Sequence, residues 1–82
     1  MALEIPAGWK NDGHALEKAF DRGSFDGSIA FVNAVAAVAN RLNHHPAIAL
    51  SWNEVMIRTW SHDVNAITER DAALAREIDA LA

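Results

Sequence analysis

An α+β domain is predicted for this 82-residue chain: a four-stranded antiparallel sheet with helices packed on one face, in the order ββαββα. Three observations predict it. Apolar residues recur at helical spacing over Phe25–Leu42 and again from Leu74 to Leu81, β-branched residues alternate over Val55–Thr59, and Asn11-Asp12-Gly13 marks a turn between two short extended stretches. The chain reads as a single domain over residues 1–82, because two halves would each be too small to hold a core.

Trp9-Lys10 predicts a short first strand entering that turn, since Asn, Asp and Gly tolerate the backbone angles a tight turn needs. His14, Leu16, Lys18 and Phe20 then alternate with Ala15, Glu17, Ala19 and Asp21, the pattern of a second strand. Ala, Glu and Lys are poor strand formers, so the same stretch is also compatible with a helix. Ser24 is placed to cap the helix that follows. That helix carries two apolar stripes: Phe25, Ile29, Val32, Ala36 and Ala39 on one, and Phe31, Val35, Val38 and Leu42 on the other. One sheet cannot cover both, so one stripe is expected to pack on the sheet and the other to meet a second subunit.

Asn43 suits a helix C-terminus, and Pro46 biases its predecessor away from helical angles. From Ile48 to Trp60 the pattern is extended, with Val55, Ile57 and Thr59 on one face and Met56, Arg58 and Trp60 on the other. Ser51-Trp52-Asn53-Glu54 is expected to hold a bulge or kink between two extended pieces. Thr68 can cap the last helix, Asp71 can return the bond to the Thr68 backbone, and Ile67 can staple against Ala72. Leu74, Ile78 and Leu81 supply its buried stripe.

Composition excludes several classes. A formal charge of −4 with seven scattered basic residues argues against nucleic acid, whose phosphates demand clustered Lys and Arg. No apolar run approaches the ~20 residues that span a bilayer, so no membrane role is expected. The start of the chain has neither a basic leader nor an apolar signal core, and there is no cysteine. Cytoplasmic residence is the default expectation.

Three of the four histidines fall at the ends of predicted elements: His44 and His45 just past a helix, His62 just past a strand. Imidazole titrates near pH ~6.5 and can give or accept a proton at neutral pH. Adjacent side chains in extended backbone point to opposite sides, so His44 and His45 are expected to play different parts. A zinc site from the three is conceivable. Adjacent histidines seldom share one ion, however, and no carboxylate stands four residues from either, so no metal is expected. His14 reads as a surface or satisfied polar residue.

The spaced set Asn43-His44-His45-Pro46, Trp52, His62 and Asp71 resembles the signature of the pterin-4a-carbinolamine dehydratases. Phe25, Phe31, Trp60-Ser61-His62-Asp63 and Thr68-Glu69-Arg70-Asp71 extend the likeness from about Gly8 to Leu81. The resemblance implies dehydration of 4a-hydroxytetrahydropterin to quinonoid dihydropterin, which regenerates the cofactor of aromatic amino-acid hydroxylases. The pterin is then substrate, and no further cofactor is implied. It also implies that His44, His45 and His62 handle the protons, with His44 as the principal acid–base residue. Trp52, Asn40, Pro46, Ser61 and Asp63 would surround the substrate, and a homodimer or homotetramer would be the working unit. Family members also have a second role as partners of a homeodomain transcription factor in animals. A non-catalytic pterin-binding, oligomerisation or protein-interaction module is therefore the competing expectation.

The sequence departs from the family pattern in four places. Asn40 stands where an ionisable residue is usual, and an amide cannot hold a negative charge. Ala47-Ile48 and Asn65-Ala66 replace the commoner Glu-Trp and Gly-Gly. Before the first strand, where a further helix is usual, only Met1–Ala7 stand, so that helix is expected to be absent.

Overall fold

The computed structural model describes residues 3–82. Strands β1 (Lys10–Asn11) and β2 (Leu16–Asp21) precede helix α1 (Phe25–Leu42), then come β3 (Ala47–Ser51), β4 (Glu54–Thr59) and helix α2 (Glu69–Leu81). The sheet is antiparallel throughout, in the order β1-β2-β4-β3. This is the predicted ββαββα arrangement. Residues 3–9 contain no helix, and residues 1 and 2 of the stretch discussed above lie outside the described residues.

The register shows why the faces differ. Leu16 pairs with Thr59, Phe20 with Val55, and Leu50 with Val55, so these side chains share the face under the helices. Leu16, Val55, Ile57, Leu74, Val35 and Ile78 are all fully buried, each burial being worth about 1.5–3 kcal/mol. Trp9 closes one end of this core edge-on to Phe20, its indole N–H donating to Asp79 at 3.0 Å. The first strand therefore begins one residue later than predicted, because Trp9 turns into the core instead of joining the ladder. The segment at β2 that was open to either assignment is a strand, fixed by its six pairings with β4.

The Ser51–Glu54 stretch is a tight two-residue turn and not a bulge: Ser51 pairs directly with Glu54. Trp52 takes a left-handed φ of 52°, an unusual angle for a bulky residue. Leu81 is 37% exposed, since the last turn of α2 runs past the sheet, and Ala75 completes the buried stripe in its place.

Helix α1 starts where Ser24 accepts from the Gly27 N–H and ends where Asn43, at φ 51°, leaves it. Its Phe31, Val35 and Val38 are buried, whereas Phe25 and Ile29 stay 52% and 41% exposed. Of the first stripe only Ala39 is buried. Gly27 in the first turn has a steric role: a Cβ there would lie 2.5 Å from the Arg22 carbonyl oxygen. Gly→Ala inside a helix ordinarily stabilises by about 0.5–1 kcal/mol. Gly27→Ala should instead destabilise by about 1–3 kcal/mol, the usual cost of overpacking. A lower urea midpoint at unchanged slope would show it.

Candidate active site

Asn43 and His44 close α1 with paired C-terminal bonds, Asn43 N–H to the Asn40 carbonyl at 3.2 Å and His44 N–H to that of Ala39 at 3.1 Å. This geometry turns the chain so that the His44 ring enters the interior, where it is 9% exposed. There its Nε2 lies 2.6 Å from Oδ1 of Asp71. Asp71 occupies the third position of α2 and is fully buried. Its Oδ1 also accepts from the Thr59 hydroxyl at 2.6 Å, and its Oδ2 accepts from Ser61 Oγ at 2.8 Å and the Thr68 N–H at 2.9 Å. The capping box expected of Thr68 and Asp71 is present, but capping uses only one of four bonds.

Burial by itself pushes the Asp71 carboxyl up. Hydrogen bonds from Thr59, His44, the Thr68 N–H and Ser61 outweigh it, and the net displacement is downward from the ordinary value. Asp71 is therefore a carboxylate at neutral pH. An acceptor at Nε2 requires that nitrogen to carry the hydrogen, which leaves Nδ1 of neutral His44 as the basic position. His45 is arranged similarly, but at the surface: its Nε2 faces Oδ1 of Asn40 at 3.0 Å.

The third imidazole comes from the far side. Ser61 and Ala66 bridge through two backbone bonds and close a small loop that carries His62 and Asp63, with Asn65 at φ 51°. Asn tolerates that left-handed angle where the family has glycine. The His62 ring stacks on Trp60, with centroids 4.4 Å apart and planes 8° from parallel. Asp63 pairs with Arg70 at 2.7 Å, and this bond holds the Asp63 carboxyl below the usual range.

Between these elements opens a cleft of about 390 Å³ lined by Asn43, His44, His45, Trp60, His62, Asp63 and Arg70. That volume suits a small heterocycle. Three imidazoles, a flat indole and a guanidinium–carboxylate pair around it can exchange protons with a bound ring and hydrogen-bond its edge. Among the described residues, no group of three or more His, Cys, Asp or Glu comes together as a possible metal site.

The structure thus brings His44, His45, His62 and Asp63 together, with Asn40 behind His45. It does not bring the other expected residues to the cleft. Trp52 sits at the tip of the β3–β4 turn, 75% exposed and away from the cleft, because the two-residue turn carries it outward. Ser61 is fully buried with its hydroxyl committed to Thr68 and Asp71, so it supports the site from beneath. Pro46 is half-buried and does not line the cleft. Sequence reasoning missed Trp60, Arg70 and Asn43. The offset of two between Trp60 and His62 in extended backbone was the available signal for Trp60.

Comparison with known proteins agrees with this geometry. The family model described as pterin 4 alpha carbinolamine dehydratase matches residues 1–81. A relative from Thermosynechococcus vestitus, provisionally named for that activity, is 45% identical over 75 residues, 92% of this chain and 79% of its own. One from Thermomicrobium roseum, named likewise, is 43% identical over 82 residues, 100% of this chain and 87% of its own. Among solved structures, a transcriptional coactivator/pterin dehydratase from Brucella melitensis superposes with a TM-score of 0.86 at 29% identity, covering 93% of this chain and 83% of that one. A pterin dehydratase-like protein identified as a RuBisCO assembly factor in the α-carboxysome gives 0.72 at 28% identity, covering 89% and 84%. With its fold, its histidine cleft and these matches in agreement, the chain belongs to the pterin-4a-carbinolamine dehydratase family.

Proposed function

We propose that the protein catalyses dehydration of 4a-hydroxytetrahydropterin to quinonoid dihydropterin in the cytoplasm, with His44 as the principal acid–base residue. The observation that carries this reading is the buried Asp71 carboxylate on Nε2 of His44, which fixes the tautomer of an imidazole facing the cleft. The reaction needs a proton delivered to the 4a-hydroxyl, so that the C–O bond breaks and water leaves, and a proton taken from a ring nitrogen. His44, His45 and His62 can divide those two tasks, and the Arg70 side chain can hold the ring.

One residue favours a second reading, a pterin-binding module without turnover: Asn40 presents a neutral amide to His45 where a charge is usual. The two readings separate by assay. The 4a-hydroxypterin is generated with a hydroxylase, and its decay is followed with and without the protein. Acceleration at micromolar protein supports the enzyme; none would leave the binding module. Within the enzyme reading, Asn40→Glu should leave the rate equal or raise it.

The working unit is proposed to be a homo-oligomer built on the outer flank of α1. Arg41 pairs with Glu77 of α2 on one flank, while Phe25 and Ile29 remain exposed on the other. β3 is an edge strand whose Ile48 is 37% exposed, so an apolar helix flank and an open strand edge are both available to a second copy. Sedimentation should give a mass of two or four chains; a single-chain mass at high concentration would contradict this.

A further inference from the structure

We propose that Trp60 is the positioning residue for His62, a proposal that rests on the active-site reading above and deepens it. The three imidazoles are held by different means. His44 is fixed by Asp71 and His45 by Asn40, each through Nε2. His62 is exposed, sits at the start of a loop, and is held among the described residues by the face of Trp60. An exposed imidazole on such a loop otherwise samples several rotamers. Stacking within 8° of parallel removes that freedom while leaving the ring edge, where both nitrogens lie, open to the cleft.

The indole is itself braced from the β1–β2 turn. His14 packs against it with centroids 5.2 Å apart, and the Arg58 guanidinium lies 5.9 Å from its centre. Arg58 is anchored by Asp12 at 2.7 Å and Glu17 at 2.8 Å. The other oxygen of Asp12 accepts from the N–H groups of His14 and Ala15, both at 2.9 Å. A continuous set of contacts therefore runs from the turn, through Arg58 and His14, to Trp60 and on to His62. It also gives His14, outside the cleft, a defined place.

Proton transfer depends on ring placement, and a misplacement of about 1 Å can cost on the order of 100-fold in rate. Trp60→Leu should lower kcat by about tenfold or more, with a smaller change in KM. Trp60→Phe, which keeps an aromatic face, should restore most of the loss. Introduced into His62→Gln, Trp60→Leu should add little further loss, because its effect passes through the missing imidazole. NMR supplies a readout independent of turnover. The ring protons of His62, assigned with His62→Gln, should lie upfield in the native protein from the indole ring current. They should move to ordinary positions in Trp60→Leu and remain partly upfield in Trp60→Phe.

Unshifted His62 signals in the native protein would overturn the proposal. So would a Trp60→Leu protein in which those signals move as expected but kcat stays native, or full additivity in the double variant. If the native protein fails to dehydrate the pterin, the proposed function falls, while the ring-current shift still decides whether Trp60 holds His62.

Discussion

Asp71→Asn should leave a folded protein that has lost about 100-fold or more of its turnover, as expected when an imidazole is held in the wrong tautomer. The carboxylate accepts four hydrogen bonds, two on each oxygen. An amide offers one accepting oxygen and one donating nitrogen. With its oxygen toward His44, the new NH2 group meets the Thr68 N–H; with its nitrogen toward His44, it forces the ring hydrogen from Nε2 to Nδ1. The first arrangement leaves a buried donor unpaired, costing about 1–3 kcal/mol. The second removes the basic nitrogen from the cleft. In both, the imidazolium formed during turnover loses its counter-charge.

Asp71→Ala is harsher, since four donors, three of them on buried residues, lose their acceptor together. The expected cost is about 3–5 kcal/mol, the range for breaking a buried pair. For a domain whose total stability is about 5–10 kcal/mol, much of the population would be unfolded under mild denaturant. The pH dependence has a definite sign. Because Asp71 has a lowered pKa in the folded state, its contribution is complete above the unfolded value of about 3.9 and is lost as pH falls through the folded value. Urea midpoints at neutral and acid pH should therefore converge between the native protein and Asp71→Asn as the solution is acidified.

His44→Ala should cost about 10²- to 10⁴-fold in turnover, the usual worth of a positioned general acid or base. It should also weaken the fold, because Asp71 then keeps its buried charge with one fewer donor. Added imidazole should restore part of the rate if the lost function is proton transfer, since a free ring can enter the vacated space. His45→Ala should cost less, for its ring is exposed and tied only to the Asn40 amide.

Much of the scaffold was legible because it rests on local chemistry. Ser24 and Asn43 bound α1 as their side-chain and backbone preferences require, and the alternation of Val55, Ile57 and Thr59 assigned the buried face of β4. What stayed hidden depends on tertiary placement. Nothing local marks Trp52 for a left-handed angle, so the β3–β4 turn read as a bulge or kink, and Trp52 was expected at the site only through the family resemblance. Trp60 read as an outward strand residue, because only the closing of the His62–Asn65 loop folds His62 back onto its face. Asp71 was visible as a cap, but its three further bonds come from β4, the strand end and the α1 terminus, which sequence order separates.

The central claim is that Asp71-held His44 moves protons for a bound pterin. The most direct test is the decay of hydroxylase-generated 4a-hydroxytetrahydropterin at neutral pH, followed side by side with native protein, with His44→Ala and with buffer. The account predicts a decay rate that rises in proportion to native protein and, for His44→Ala, stays close to the spontaneous rate. A native rate no faster than buffer, or a His44→Ala rate equal to native, would contradict it.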